Sequence, residues 1–528
     1  MGIPAYFSYI LKQHRGILQK LGVHKSRLNT VWDVLLMDCN SIIYDVVHEK
    51  KAEQLDHENI IDLVIAKIRA YIAAIRPTRF TMVAFDGVAP MAKMEQQRLR
   101  RFKGLILGSG EKPAFNTVQI TPGTPFMALL SEKIEAAFAG DASVIVATST
   151  GPGEGEQKLF AHLRANPQTG ANVAVYGLDA DLIMLALFHL DYARNIFVCR
   201  EEPHSDKKDK RKENRGVGGE VGADLVFLDA AALSRTLCAE MAAPCRHHHI
   251  TENPGIEEYA FLCFFLGNDF LPHFPALNLR TTGLNRLMEA YRTTISAHPG
   301  RRLVTKRTNC DEKHYSVLYV IEWKNVTELV AELARHEPEF LRQEMGVRET
   351  WEVAERRRLE TQCSGIDAWM ESAPILFRGA EHYIFGHGGS FSLGWRERYY
   401  RALFPHVCVK KDPWSIAENY AEGLNWVLQY YTRGCIDTRW KYRHAYPPLL
   451  GDLTASLRLS QGLKVREPGC QTFVSPREQL LYVVPPAYYS VVGLDYEKGE
   501  MDASNMKSPR YQWAFCRFLW EAHLEFSN

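Results

Sequence analysis

Seven acidic residues in this 528-residue sequence stand at positions where carboxylates could act together. Asp38 and Asp86 close the apolar runs VLLMD (34–38) and FTMVAFD (80–86), and NVAVYGLD (172–179) runs into Asp179 and Asp181. A fourth run, SVIVAT (143–148), leads through Gly-Pro-Gly to Glu154 and Glu156 in GPGEGEQK. Asp269 sits in FLCFFLGNDFLPH, where a lone charge would be costly. Any one of these acids could be a helix N-cap. That role does not explain six of them at four strand ends and a seventh in an apolar segment. Carboxylates held close repel, and take up protons unless cations neutralise them. An all-oxygen set without His or Cys selects hard ions, so Mg²⁺ or Mn²⁺ is expected. Seven carboxylates suffice for two ions about 4 Å apart, the arrangement used for in-line displacement at phosphorus.

Beside Asp86 the sequence continues DGVAPMAKMEQQRLRRFK, with five basic residues and one Glu between Lys93 and Lys103. A helix is predicted over Ala92–Lys103. Lys93, Gln97, Arg100 and Arg101 then share one face, at i, i+4, i+7 and i+8, while Met94 and Phe102 turn toward the core. A face of Arg, Lys and Gln donors next to a metal site is a phosphate pocket, with Arg as the bidentate partner. Arg98 and Lys103 lie off that face.

The elements that must position these groups are short Val-rich strands alternating with amphipathic helices such as 58–75. This alternation predicts an α/β fold: a parallel-rich sheet with helices on both faces, whose carboxyl strand ends share one edge. On that edge Asp179 and Asp181, two apart at a strand end, should point the same way. A helix is predicted to begin near Gln157. From about residue 304 to 386 the pattern weakens to charged helical stretches, before the aromatic-rich segments GWRERYYRALF (394–404) and GLNWVLQYYTRGCIDTRWKYRHAYPP (423–448).

Bulk properties narrow the setting. The 63 basic residues nearly balance 62 acidic ones, so nucleic-acid binding must rest on a local basic surface. No run approaches the roughly 18 apolar residues of a membrane span, and the start, MGIPAYFSYILKQHR, lacks signal-peptide features. Eleven scattered cysteines without a C-x-x-C pair predict free thiols and an intracellular setting, cytoplasmic or nuclear. The stretch 201–222 reads as a charged inserted loop in preference to a nuclear-localisation signal at Lys207–Lys212. Cys245 with His247, His248 and His249 reads as a polar loop in preference to a zinc site, because no second ligand cluster matches it.

These motifs together resemble the Xrn family of 5′→3′ exoribonucleases. DGVAPMAKMEQQRLRRFK, ITPGTPFM, GPGEGEQK, YGLDADLIML and FLGNDFLPHFP occur in that family's order, as do GIPAYFSYI and MDCNSIIY at the start. The resemblance is specific over 1–285, resumes from Gly394 and is weakest at 300–390. It implies a PIN/flap-nuclease-like sheet with a second, mostly helical conserved region wrapping the active site. The implied division is a nuclease region 1–290, a variable connector 291–390 and a second region 391–528, with no long C-terminal extension. It implies Mg²⁺, held by Asp38, Asp86, Glu154, Glu156, Asp179, Asp181 and Asp269. Lys93, Gln97, Arg100 and Arg101 would bind the 5′-monophosphate of single-stranded RNA, degraded processively to mononucleotides. Tyr44 stands where the family usually has His, and with Trp440 it would sandwich the first base; ordinary core packing of both rings is the alternative. Two other functions share parts of this pattern: a flap endonuclease or 5′ DNA exonuclease of the same superfamily, and a non-catalytic RNA-binding scaffold.

Overall fold

The computed structural model describes Ile3 and residues 6–20, 30–49, 56–107, 115–201, 225–242, 254–311, 314–361, 372, 375–376, 378–386, 391–404, 414–459, 469–494, 510–512 and 523–525. The inserted loop beyond Glu201, its basic run Lys207–Lys212, and the cluster of Cys245 with His247 to His249 lie outside the described residues.

Seven strands form one sheet: β1 (Leu18–Lys20), β2 (Val34–Asp38), β3 (Phe80–Ala84), β4 (Val144–Ala147), β5 (Gln168–Tyr176), β6 (Ala193–Glu201) and β7 (Leu225–Asp229). Their order is β1-β7-β6-β5-β2-β3-β4. β6, β5, β2, β3 and β4 are parallel, whereas β7 and β1 add antiparallel to one side. The four acid-bearing strands predicted from the sequence are therefore the neighbours β5-β2-β3-β4. The apolar runs are continuous because both faces of this sheet are covered. Period two divides them. Val34, Leu36, Met82, Ala84, Val173 and Val175 enter the larger core, while Leu35, Met37, Val83, Ala174 and Tyr176 enter the second.

The second core is closed by helices His57–Ile75 and Pro125–Phe138. The former buries Ile60, Ile61, Val64, Ile65, Ile68, Tyr71 and Ile75 at three- and four-residue spacing. Asp56 caps it by accepting the Asn59 N–H at 2.8 Å, and Thr124 with Pro125 starts the latter. The larger core is covered by helices Gly155–Ala165, Asp181–Phe188 and Ile256–Phe264.

The weakly patterned stretch after residue 300 holds more structure than its sequence suggests. It forms a hairpin, β8 (Val304–Asp311) and β9 (His314–Ile321), and a 39-residue helix, Trp323–Thr361. Val304, Val317, Tyr319 and Ile321 join the larger core. Helix Ser415–Thr432, almost wholly buried, joins it too. A third, small core packs Ala89, Met94 and Val118 against Leu480, Val483, Val484, Tyr489 and Val492. The C-terminal segment thus grips the base of the basic helix.

Glu337 shows how the long helix is fastened. Its buried carboxylate accepts the Leu450 N–H at 2.8 Å and lies 3.8 Å from Arg396. Burial raises its pKa from 4.5 to about 7. The folded chain therefore holds this proton more tightly than the unfolded one. The resulting stabilisation is complete below about pH 4.5 and is lost as pH rises through about 7. Glu337→Gln is expected to remove that slope. In urea denaturation the variant should exceed the parent by about 3 kcal/mol at pH 8 and match it near pH 4, at roughly 1.4 kcal/mol per pK unit.

Candidate active site

Four adjacent strand ends bring the acids to one edge. Asp38 ends β2, and Asp86 follows β3 by two residues. The turn after β4 carries Glu154, the N-cap position of helix Gly155–Ala165, with Glu156 in its first turn. That helix begins two residues earlier than predicted. Glu154 makes no side-chain capping bond, so simple capping does not account for it. Asp179 and Asp181 both lie within the fields of Lys93 and Asp269, though not as neighbours of one strand. β5 ends at Tyr176, so strand alternation no longer applies beyond it: Asp179 lies in an exposed turn, while Asp181 is buried in the first turn of a helix.

The turns that carry Asp86 and Glu154 touch at glycines. A Cβ on Gly87 would lie 1.7 Å from the carbonyl oxygen of Gly151, and one on Gly155 would lie 2.8 Å from Asp38 Oδ1. Gly87→Ala is expected to force the two turns apart and cost about 3 kcal/mol, read as a lowered denaturation midpoint. Lys158 ties the same turns from below. Its Nζ donates to Phe85 O at 2.8 Å and Thr148 O at 2.7 Å, and burial lowers its pKa to about 8.

Each acid has a distinct set of partners. Asp86 accepts from the Gly155 N–H at 2.7 Å and from Asn40 Nδ2 at 2.7 Å, and its own N–H donates to Asn40 Oδ1 at 3.0 Å. Lys93 Nζ lies 2.7 Å from Glu154 Oε1 and 2.9 Å from Asp269 Oδ2. Tyr430 donates its hydroxyl to Glu154 Oε2, and Tyr431 donates to Asp181 Oδ1 at 2.7 Å. Asp38 Oδ1 is buried without a hydrogen-bond partner. Asn40, Tyr430 and Tyr431 were not identified from the sequence. Asn40 in MDCNSIIY, two residues after the first acid, carried a usable signal; the tyrosines carried none beyond an aromatic-rich segment.

Electrostatics binds the seven acids into one system. Burial, then Asp86 and Asp179, raise Asp38 well above the usual carboxylate range. Burial, Asp181 and Glu154 do the same to Glu156. Burial and Glu154 lift Asp86 to about 6, and burial with Asp269 lifts Asp181 to about 6. Burial raises Asp269, but the charge and hydrogen bond of Lys93, with Arg100 and other positive charge, together hold it low. Lys93 is raised despite burial by Asp269, Glu154, Glu156 and Asp181. The site gathers an excess of negative charge, with Lys93 in its midst and Lys158 beside Asp86. Among the described residues no three His, Cys, Asp or Glu side chains are gathered around one point as metal ligands. The fit to a divalent ion rests instead on the all-oxygen donor set, the unpartnered Asp38 Oδ1 and the uncompensated charge.

The basic helix, Met91–Leu107, divides its side chains. Met94 and Phe102 are buried, as predicted. Lys93 is buried among the acids, Arg100 is exposed, and Gln97 and Arg101 lie between these extremes. Arg101 Nε and Gln97 Oε1 are buried atoms without partners, and burial lowers the Arg101 pKa. Arg98 points elsewhere, stacking over Tyr482 at 4.9 Å; the Lys103 side chain is outside the described residues. Glu95 pairs with Lys441 at 2.7 Å and accepts the Tyr482 hydroxyl, fastening the helix from its other side. Tyr44 is half-buried on helix Asn40–Glu49 and lies near Arg101. Trp440 is 6% exposed, with Trp426 stacked on it at 5.0 Å. Among the described residues Tyr44 and Trp440 make no ring contact with each other.

A mostly parallel α/β sheet with convergent carboxylates, set beside an arginine-rich helix and wrapped by a helical region, is the frame of a nuclease-type protein. Residues 1–202 match the family described as XRN 5′-3′ exonuclease N-terminus, and residues 251–373 and 391–509 match the Xrn1 helical domain. The chain belongs to the Xrn 5′-3′ exonuclease family, of which it carries the N-terminal and helical regions. The helical match runs into the connector 291–390, as far as residue 373. Relatives include 5′-3′ exoribonuclease 2 of Gallus gallus, 26% identical over 92% of this chain, and the Caenorhabditis elegans homologue, 26% identical over 94%. The Arabidopsis thaliana protein of the same name is 24% identical over 92%. The chain spans 64%, 66% and 61% of those proteins respectively. Nucleases of this family depend on magnesium.

Proposed function

We propose that the protein is a processive 5′→3′ exoribonuclease that hydrolyses 5′-monophosphorylated single-stranded RNA to mononucleotides. The observation that carries this reading is the double reach of the basic helix Met91–Leu107. One turn sends Lys93 to Glu154 and Asp269; two turns later Arg101 holds a buried, unpartnered Nε beside the Gln97 amide. A buried guanidinium nitrogen without an acceptor is a costly arrangement unless an anion completes it. A terminal phosphate held by Gln97, Arg100 and Arg101, within reach of Lys93, would present the following phosphodiester to the acids. Two Mg²⁺ or Mn²⁺ ions, held by Asp38, Asp86, Glu154, Glu156, Asp179, Asp181 and Asp269, would supply an activated water and neutralise the leaving oxygen when bound. Tyr44 and Trp440 are proposed to stack on the first base, worth about 1–3 kcal/mol per base.

In this reading residues 1–290 carry the chemistry and the end pocket, 291–390 connect, and 391–528 complete the active site. Buried free cysteines such as Cys39, Cys199 and Cys263 support a reducing cytoplasmic or nuclear setting. Among the described residues no helix is long and apolar enough to cross a membrane.

The test compares matched RNAs with 5′-monophosphate, 5′-hydroxyl and 5′-triphosphate ends, and matched DNA, with Mg²⁺ and with chelator. Metal-dependent release of mononucleotides from the monophosphorylated RNA alone is expected. Equal cutting of all ends, or of DNA, would move the protein to the flap-nuclease class; absence of any cutting would leave an RNA-binding scaffold.

A further inference from the structure

Helix Ser415–Thr432 sends two consecutive tyrosines to two different acids. Tyr430 donates to Glu154 Oε2, from the turn after β4, and Tyr431 donates to Asp181 Oδ1 at 2.7 Å, from beyond β5. Consecutive helical residues point about 100° apart. One helix can satisfy both acids only by facing the site squarely, with Glu154 on one side and Asp181 on the other.

Neither ring is free to follow its partner. Tyr430 stacks on Trp426 at 4.8 Å and 13° and meets Phe270 edge-on at 5.0 Å. Tyr431 stacks on Phe264 at 5.6 Å and 21°. Both are 1% exposed. Each is a stiff arm whose hydroxyl position is set by the packing of the helical region. A buried tyrosine hydroxyl needs some acceptor. Tyr399, Tyr420 and Tyr442 in the same region use the backbone carbonyls of Pro447, Pro272 and Tyr446. Tyr430 and Tyr431 instead donate to acids of the candidate metal site.

We propose that Tyr430 and Tyr431 are positioning residues that fix the carboxylates of Glu154 and Asp181, so that the helical region sets the divalent-cation affinity of the sheet edge. Each hydroxyl holds one carboxylate oxygen in place; Asp181 keeps its second oxygen to face the ion, whereas Glu154 Oε1, 2.7 Å from Lys93 Nζ, offers its remaining lone pair. Hydrogen bonds of this kind to ligating groups change metal affinity by about 10–100-fold when removed. The inference rests on the reading that these acids hold divalent ions.

The test is Mn²⁺ titration calorimetry on the full chain, comparing the parent with Tyr430→Phe, Tyr431→Phe and the double variant. Phe keeps the ring stacks, so thermal unfolding in chelator should change little. The apparent Kd for Mn²⁺ should rise about tenfold in each single variant and about 100-fold in the double one. Raising Mn²⁺ should restore turnover, and KM for phosphorylated RNA should stay near the parent value at saturating metal. A double variant that binds Mn²⁺ with the parental Kd overturns the inference while leaving the metal site standing. A parent whose Mn²⁺ binding survives Asp179→Ala with Asp181→Ala sinks the metal reading itself, and the tyrosine role with it. If the double variant fails to fold, the single variants decide by the same titration.

Discussion

Asp38→Asn is expected to abolish hydrolysis, by at least about 10³-fold, while making the metal-free protein more stable. The two effects share one cause. Asp38 is half-buried, Asp86 and Asp179 repel its charge, and its buried Oδ1 has no hydrogen-bond partner. As a ligand to a divalent ion that oxygen would be fully used, and an amide would replace a strong anionic donor by a weak neutral one. A 10³-fold loss corresponds to about 4 kcal/mol of transition-state stabilisation. Without the ion the same carboxylate is an uncompensated buried charge, and the neutral isostere relieves it. The folded-state pKa is raised, so the ionised form opposes folding as pH climbs above the usual carboxylate range. In chelator at pH 8, Asp38→Asn should therefore unfold at a higher temperature than the parent. Added Mg²⁺ should stabilise the parent and leave the variant nearly unchanged. A variant less stable than the parent in chelator, or still active, would contradict the assignment. Such opposition between stability and activity is expected where function concentrates like charge.

Arg100→Ala with Arg101→Ala is expected to erase discrimination between RNA ends. Each hydrogen bond from a charged donor contributes about 1.5–3 kcal/mol, so the pair should account for roughly 10²–10⁴-fold of the preference for a 5′-monophosphate over a 5′-hydroxyl. The measurement is kcat/KM on matched RNAs with each end. Mn²⁺ affinity should change far less than the end preference, because among the described residues neither arginine forms a salt bridge with the acids and Arg100 acts on Asp269 only at longer range. Lys93→Ala should behave differently. Its ammonium lies 2.7 Å from Glu154 and 2.9 Å from Asp269, so its removal alters the charge of the metal site as well as the end pocket. The sequence had grouped Lys93 with the arginines as one donor face, and helical spacing does place it there. Packing decided where its flexible arm ends: Asp269, Glu154, Glu156 and Asp181 draw it inward more strongly than solvent holds it out.

The hairpin β8–β9 and the long helix after it show why the middle of the chain was opaque. Strand β8 reads VTKRTNCD, with charged and polar residues breaking the apolar run, and its partner strand supplies most of the apolar contacts. Nothing local announces that Val317, Tyr319 and Ile321 close the core behind the sheet. Trp440 is a similar case. Its sequence neighbours mark an aromatic segment, but only the fold shows Trp426 covering one ring face and Gly423 leaving room for the other edge.

What the sequence determined by itself is the edge of the sheet. Four Val-rich runs of strand length, each leading to acids, suffice to predict parallel neighbours with converging carboxylates, because strand period and the burial of parallel sheets are local properties of the chain. The basic helix and its Arg–Gln face follow from periodicity in the same way. Only the tertiary structure decided which groups hold those acids. Asn40 reaches Asp86 across 46 residues, Tyr431 reaches Asp181 across 250, and Tyr430 reaches Glu154 across 276. A buried carboxylate accepts a hydrogen bond from whatever donor the packing delivers. That delivery depends on how the helical region seats against the sheet, which no local pattern encodes.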